Sequence, residues 1–161
     1  MTKIFGILAL IILIVLPLTL IVAGQLGLLQ GKRPTDLGLR DGMLKPPVKA
    51  SWNVVSSYAK LQPHTAYHVI DPIGFSGDST AAFAKLGVIV RAMPGVTVVT
   101  SEPDYLYAQF QTPLLKFVDD VEFVLDRPAS VIQMRSASRL GRKDFSANRN
   151  RLEAIRRQFN R

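Results

Sequence analysis

In residues 117–125 the sequence reads Phe-Val-Asp-Asp-Val-Glu-Phe-Val-Leu, with apolar and acidic side chains interleaved. Successive side chains of a β-strand point to opposite faces of its sheet. One face would carry Phe117, Asp119, Val121, Phe123 and Leu125, and the other Val118, Asp120, Glu122 and Val124. The pattern predicts a strand with carboxylates on both faces, and it argues against Asp119 and Asp120 acting together as a catalytic pair.

The segments around this strand predict an α+β domain. Residues 79–93 have apolar side chains at helical spacing, with Ser79 or Thr80 as the cap and Pro94-Gly95 as the stop. Ser146 is expected to cap a closing helix, with Glu153 and Arg157 paired on its surface. The apolar side chains of that helix, Leu152, Ile155 and Phe159, would share one stripe. A short strand or a turn is expected at 52–59, and strands are expected at 67–70, 96–100, 105–112, 117–125 and 131–138. We therefore predict an antiparallel sheet of about four to six strands with two helices packed on it.

The N-terminus predicts one transmembrane helix ahead of that domain. Residues 4–23 are apolar apart from Thr19, and a helix of about 20 such residues spans a bilayer core. An uncleaved signal anchor is favoured over a signal peptide cut after Val22-Ala23-Gly24, which is a loose cleavage site. The predicted organisation is an anchor at 1–24, a Gly/Pro-rich linker and ordered loop at 25–50, and an α+β domain at 51–161.

Charge is unevenly distributed along the chain, which carries a net +8 and no cysteine. Residues 102–126 contain six acidic side chains against Lys116 alone, whereas residues 135–161 contain nine basic side chains against Asp144 and Glu153. Two such segments are expected to meet in the fold or to share a ligand. No nucleic-acid-binding motif accompanies the basic residues, so a nucleic acid partner is not expected.

The carboxylates allow three interpretations. Asp120 and Glu122 share a face about 6–7 Å apart, which suits a general acid and base or two ligands of a hard cation. Alternatively, Asp119 or Asp120 pairs with Arg135 or Arg139 of the next strand, because guanidinium binds carboxylate in a bidentate manner. We favour the structural pair. The residues expected to pair with or orient the basic groups are Asp119, Asp120, Glu122 and Asp144.

The basic segment predicts a site for an anion or a partner. Guanidinium and hydroxyl groups beside a helix N-terminus form a plausible pocket for phosphate or carboxylate. The residues in this prediction are Arg135, Ser136, Ser138, Arg139, Asn148, Arg149 and Arg151. No catalytic residue, metal centre or cofactor is expected.

The chain resembles the bacterial and plastid family known as domain of unknown function 1499. The resemblance covers nearly all of residues 33–159 and is most specific in the last of its motifs. They are Arg33-Pro34, Leu37-Gly38, Gly42-x-Leu44, Asn53-x-Val55-Ser56-Ser57, His68, Pro72, Asp119-Asp120-Val121-Glu122-Phe123 and Arg135-Ser136-Ala137-Ser138-Arg139-x-Gly141, followed by Asp144 and Asn148-Arg149-x-Arg151.

One departure from that family concerns cysteine. Its members often carry two cysteines near Pro47 and Val54, and this chain has none, so any role of such a pair cannot apply here. The resemblance implies an N-terminal signal or anchor and an extracytoplasmic domain, although Lys32, Arg33 and Arg40 after the apolar segment favour the cytoplasmic side. It implies no reaction.

Together these observations predict a bacterial envelope protein that crosses the inner membrane once and has its domain in the periplasm. It would bind an anionic small molecule, a lipid headgroup or a protein partner without turnover. One alternative is a small envelope hydrolase that uses Asp120 or Glu122, with or without a divalent cation. Another is a cytoplasm-facing scaffold whose basic tail rests on anionic lipid.

Overall fold

The computed structural model describes residues 5–6 and 9–161. A π-helical segment, Ile11–Val15, continues directly into helix α1 (Leu16–Gln25). In the described ranges, 5–6 and 9–161, no helix combines the length and the apolar character needed to cross a membrane. Residues 1–4 and 7–8 of the predicted anchor lie outside the described ranges.

The domain is built on one antiparallel sheet, which confirms the predicted α+β class. Its strands are β1 (Val54–Ser56), β2 (Ile73–Gly74), β3 (Val96–Ser101), β4 (Tyr105–Gln111), β5 (Val118–Asp126) and β6 (Val131–Ser138). Strands β3 to β6 form a meander in spatial order, and β1 and β2 pair with successive parts of the free edge of β6. Strand β5 therefore lies in the middle of the sheet.

Helices α2 (Ser79–Arg91) and α3 (Ala147–Phe159) cover one face of the sheet. Their inward apolar side chains pack against Val121 and Phe123 of β5, which are fully buried. The apolar stripe predicted for the closing helix is confirmed. Its buried members are Leu152, Ile155 and Phe159. Burial of side chains of this size supplies the main stabilising term of such a layer, at roughly 1.5–3 kcal/mol each.

The opposite face of the sheet is covered by an ordered loop, residues 33–46, which we call the strap. Leu44 of the strap is buried against Tyr58 and Val124. The Gly38 N–H donates to Glu122 Oε1 at 2.7 Å, and the Arg135 Nε donates to the Lys45 carbonyl at 3.0 Å. Since the strap makes these bonds, β5 is buried on both faces along most of its length.

Several local predictions were wrong. Residues 67–70 do not form a strand, because Thr65 and His68 make a reciprocal capping box around the 3₁₀ turn Ala66–His68. The side chain that caps α2 is Asp78, which accepts from the Ala81 N–H at 2.6 Å. On α3, Glu153 pairs with Arg156 at 3.0 Å rather than with Arg157.

The closing helix begins where predicted, but the predicted cap does not act as one. Ser146 makes no side-chain capping bond and has a left-handed backbone with φ 67°. Asp144 performs that function: its Oδ2 accepts from the Asn148 N–H at 2.9 Å and its Oδ1 from the Ser146 N–H at 3.1 Å. The negative charge of the Asp144 carboxylate is also stabilised by the positive, N-terminal end of the helix dipole.

Candidate functional site

The three carboxylates of β5 each meet a different arginine. Asp120 pairs with Arg139, Glu122 with Arg135, and Asp119 with Arg151. The two pairs made by Asp120 and Glu122 lie on the strap face, whereas the Asp119 pair lies on the helix face. All three carboxylates are buried, so none of these pairs is a solvated surface contact.

The Asp120–Arg139 pair is bidentate. Arg139 donates from Nε to Asp120 Oδ2 at 2.9 Å and from Nη2 to Oδ1 at 2.7 Å. The Tyr107 hydroxyl also donates to Oδ1, and Gln109 Nε2 donates to that hydroxyl at 2.9 Å. The pairing of Asp120 with an arginine that follows the next strand confirms the structural interpretation drawn from the sequence.

Glu122 is held from three sides. Its Oε1 accepts from Gly38 of the strap and from the Tyr105 hydroxyl at 3.0 Å, and its Oε2 accepts from Arg135 Nη1 at 3.1 Å. Arg135 lies opposite Glu122 in the β5–β6 register. A buried carboxylate is tolerated in such a place because charged and neutral donors together replace its water shell.

On the helix face, a polar network joins Asp119 to α3. Arg151 donates to Asp119 Oδ2 at 2.6 Å and to Asn148 Oδ1 at 2.8 Å. Asn148 is fully buried; its Nδ2 donates to the Asn53 carbonyl at 3.0 Å and to Ser138 Oγ at 2.9 Å. The Ser136 hydroxyl completes the network by donating to Asn148 Oδ1.

The residues predicted for one anion pocket are therefore divided between two faces of the sheet. Arg135 and Arg139 lie on the strap face, and Ser136 and Ser138 on the helix face. Arg149 belongs to neither group. Its Nη2 donates to the backbone carbonyls of Tyr67 and Val69, both at 2.7 Å. Asp144, predicted to orient basic groups, instead caps α3 and accepts from the Tyr67 hydroxyl. An anion-binding role for these arginines stays a prediction.

Burial or hydrogen bonding raises the pKa values of three side chains on the strap face. Desolvation, followed by the charge of Glu122, raises the pKa of Tyr105 far above its ordinary value. Desolvation and the bond to Asp120 raise the pKa of Tyr107 as well. The bond to Asp120 raises the pKa of Arg139. Both phenols therefore remain protonated donors to the carboxylates, and Arg139 remains a cation, throughout the physiological range.

This arrangement leaves little room for acid–base chemistry at Asp120 or Glu122. A general base must lie within hydrogen-bond reach of the proton that it removes. Both carboxylates are nearly inaccessible, and their oxygens already accept from arginine, tyrosine and backbone donors. Within residues 5–6 and 9–161, no cluster of three or more histidine or acidic side chains is placed to hold a metal ion.

An open groove of about 560 Å³ lies beside these pairs, between the strap and the outer strands β3 and β4. Its lining consists of Arg33, Pro34, Thr35, Leu37, Gly38, Thr100, Glu102, Tyr105 and Tyr107. The exposed guanidinium of Arg33 lies over the Tyr107 ring, with 5.0 Å between its Cζ and the ring centroid. In the described part of the chain, Arg33 makes no ion pair. The groove thus has one accessible cation on a floor of two tyrosines.

Sequence reasoning missed the two tyrosines and the strap. Tyr105 and Tyr107 alternate with Leu106 and Ala108 along β4, and the hairpin register places Tyr107 opposite Glu122. The alternation alone indicated which face they occupy, but their partners depend on the register. The predicted ordered loop at 25–50 did not indicate that its second half lies over β5.

The chain matches the family described as Protein of unknown function (DUF1499) over residues 46–159, which is most of its 161 residues. It belongs to that family, as its motifs predicted. No curated protein and no solved structure matches the chain. The matched range contains all three ion pairs of β5 and leaves out α1 and most of the strap.

Proposed function

We propose that this protein is a module of the bacterial envelope, anchored in the inner membrane by its N-terminal helix, that binds an anionic ligand without converting it. Its domain would face the periplasm, as the family resemblance implies. The ligand would be a small molecule or a lipid headgroup, held in the groove by Arg33. The three ion pairs of β5 would keep the groove floor rigid.

The observation that carries the proposal is the uncovered apolar surface of the helical segment before the domain. Side chains on all sides of this segment are exposed, for example Leu13, Ile14 and Leu18. A helix that is apolar all round requires an apolar environment. Its only polar side chain between residues 9 and 23, Thr19, donates to the Val15 carbonyl at 2.8 Å and so presents no unsatisfied hydroxyl proton to lipid.

Arg33 supports the binding part of the proposal. A guanidinium is the usual protein partner of phosphate and carboxylate because its planar donors match two oxygens at once. Here it is pre-positioned by the Tyr107 ring, which lowers the entropy lost on binding. Glu102 also lines the groove, so a ligand that carries an amine besides its anionic group would be matched at both ends.

The hydrolase alternative has no comparable support. Its proposed base would be Asp120 or Glu122, and every carboxylate oxygen of both already accepts a hydrogen bond in the folded protein. The arginines of the predicted anion pocket are engaged in the same way. Arg33 is therefore the better choice for a ligand contact than Arg139.

Two measurements on the full chain test the two parts of the proposal. Alkaline extraction of host membranes should leave the protein in the pellet; recovery in the supernatant would contradict the anchor. Native mass spectrometry after gentle detergent extraction should show a discrete bound species. That species should be lost in Arg33→Ala and retained in Arg157→Ala, which removes another exposed arginine from α3. A clean unliganded mass would contradict the binding role.

A further inference from the structure

The apolar helix is fixed to one particular end of the sheet. Gly24 lies directly against the backbone of Leu115 in the β4–β5 turn. Gln25 Nε2 donates to the Leu114 carbonyl at 2.9 Å, and Gly31 lies against Arg139 and Leu140. The segments that meet at this end are residues 26–32, the β4–β5 turn 112–117, the loop 139–145, and Trp52. We call them together the rim.

The rim exposes a group of large apolar side chains at loop positions. Exposure is greatest at Phe145, at 91%, and at Leu26 and Leu28, at 71% each. The remaining exposed apolar side chains of the rim are Leu114, Phe117, Leu140 and Trp52. These side chains lie on segments that meet at one end of the sheet, and such clustering of exposed apolar side chains is typical of an interaction surface.

Phe145 is held outward at a conformational cost. Its backbone has φ 51°, in the left-handed region, and Ser146 follows with φ 67°. Residues other than glycine, asparagine and aspartate rarely adopt this conformation, and such strain concentrates at functional positions. The fold thus maintains an aromatic side chain in water where a different residue would be less strained.

The charges on the rim are almost all positive. Its basic side chains are Lys32, Lys116, Arg139, Arg142 and Lys143. Of these, only Arg139 makes an ion pair in the described part of the chain. The single acid in the rim segments, Asp144, is turned inward to cap α3 and to accept from Tyr67. The exposed charge of the rim is therefore complementary to an anionic surface.

Trp52 adds a second feature of a lipid interface. Trp52 is 49% exposed, and its ring lies under Lys143, with 4.7 Å between Nζ and the ring centroid. The backbone N–H of Trp52 donates to the Arg142 carbonyl at 2.6 Å, which joins Trp52 to the loop 139–145. Tryptophan is enriched at the headgroup level of membranes, and lysine extends its charge from that depth to the phosphates.

We infer that the rim is a membrane-contacting surface that rests among the headgroups of the same bilayer that holds the apolar helix. This inference rests on the proposed anchor. Apolar rim side chains would enter the boundary between headgroups and acyl chains. The basic side chains that make no ion pair in the described part of the chain, Lys32, Lys116, Arg142 and Lys143, would contact the phosphates of anionic lipids. The contacts of Gly24 and Gln25 with the β4–β5 turn hold the end of α1 beside the rim, and the rim would therefore face the bilayer. The domain would then be held at a fixed orientation rather than carried on a free linker.

Trp52 is the only tryptophan of the chain, so its fluorescence tests the inference directly. The full chain is reconstituted in vesicles of zwitterionic and anionic lipids, a fraction of which carry bromine on the acyl chains. We expect quenching of Trp52 and a blue shift of its emission. Quenching should be strongest with bromines near the headgroups, since surface-bound groups enter about 5–10 Å. It should weaken in purely zwitterionic vesicles.

Two variants locate the contact on the rim. Phe145→Asp should reduce the quenching, and it should not harm folding because aspartate tolerates a left-handed backbone better than phenylalanine. Val88→Asp is the matched control: it changes another exposed apolar side chain, on α2 outside the rim, and should leave the quenching unchanged. Equal effects of the two variants would overturn the assignment to the rim.

Flotation of the same vesicles separates the inference from the proposal beneath it. If the chain floats with the vesicles and Trp52 is not quenched, the anchor stands and the rim inference is wrong. If the chain does not float, the proposed anchor fails and the rim inference fails with it. Quenching of Trp52 that is reduced in Phe145→Asp and unchanged in Val88→Asp supports both.

Discussion

Arg139 and Asp120 form a bidentate ion pair that is almost completely buried, with N–O distances of 2.7 and 2.9 Å. Arg139 lies just beyond the end of β6, and Asp120 near the start of β5, so the pair joins two neighbouring strands at the rim end of the sheet. The Tyr107 hydroxyl, on β4, donates to the same carboxylate, so that a third strand is joined to the pair. The pair therefore fixes the strap-face layer on which Arg33 rests.

Removing one partner of this pair should be costly. Arg139→Ala leaves Asp120 charged and buried with only neutral donors, and we expect a loss of about 3–5 kcal/mol in the free energy of unfolding. Arg139→Lys should lose less, because it keeps the charge but not the bidentate geometry. Asp120→Asn should also lower the melting temperature. Urea unfolding of the purified full chain in one detergent measures each effect.

A double variant provides the control for that prediction. Asp120→Leu with Arg139→Met removes both charges together, and apolar replacement of a buried pair is often nearly neutral. We expect it to be more stable than either single change. The structural role of the pair would be refuted by an Arg139→Ala protein within about 0.5 kcal/mol of the unchanged chain, the range of ordinary surface substitutions.

Asp144 should prove to be the cap of α3, and Ser146 should not. Asp144→Ala removes the acceptor of two backbone N–H groups and of the Tyr67 hydroxyl, so we expect a loss of about 1–2 kcal/mol or more. Ser146→Ala removes a side chain without a capping bond and should change stability by less than about 0.5 kcal/mol. Thermal unfolding followed by circular dichroism compares them. A larger effect at Ser146 would contradict this assignment.

The sequence predicted the parts of the fold that periodicity controls. Strand β6 has the predicted bounds, 131–138, and the two faces of β5 are occupied as the alternation indicated. Alternation determines which face a side chain occupies, because a one-residue error would expose the whole apolar set. It does not determine which element covers that face.

The partners of the carboxylates were predicted less well for that reason. Asp120 pairs as one interpretation allowed, but Asp119 pairs with Arg151 of α3 rather than with β6. The choice depends on where α3 crosses the sheet, which no local pattern encodes. The strap could not be placed either, since its contacts with Glu122 and Arg135 are made through backbone groups that any sequence carries.

The tyrosines predict a specific response to alkaline pH. Burial raises the pKa of all four, Tyr58, Tyr67, Tyr105 and Tyr107, and that of Tyr67 to about 12. The unfolded chain ionises its tyrosines near pH 10, whereas the folded protein keeps these protons to higher pH. Their contribution to stability is therefore complete below about pH 10 and is lost as the pH rises from there towards 12.

A titration of phenolate absorbance alongside near-ultraviolet circular dichroism tests this response. We expect phenolate to form together with the loss of tertiary structure, rather than near pH 10 in a folded protein. Tyr67→Phe should make the alkaline fall in stability shallower, because it removes one of the shifted groups. Phenolate that forms near pH 10 while the dichroism is unchanged would show that the phenols are not protected.

The junction between the helix and the domain can be tested with two glycines of the N-terminal segment. Alanine normally stabilises a helix interior by about 0.5–1 kcal/mol relative to glycine. Gly6 has open space around its Cα, so Gly6→Ala should leave the domain unaffected. A methyl group at Gly24 would overlap the Leu115 carbonyl, and we expect Gly24→Ala to displace the β4–β5 turn.

Hydrogen exchange of the Thr112 amide, which donates to the Phe117 carbonyl at 2.9 Å, should then accelerate in Gly24→Ala alone. Equal exchange in both variants would mean that the helix is not held against the turn, and the rim would lose its fixed position.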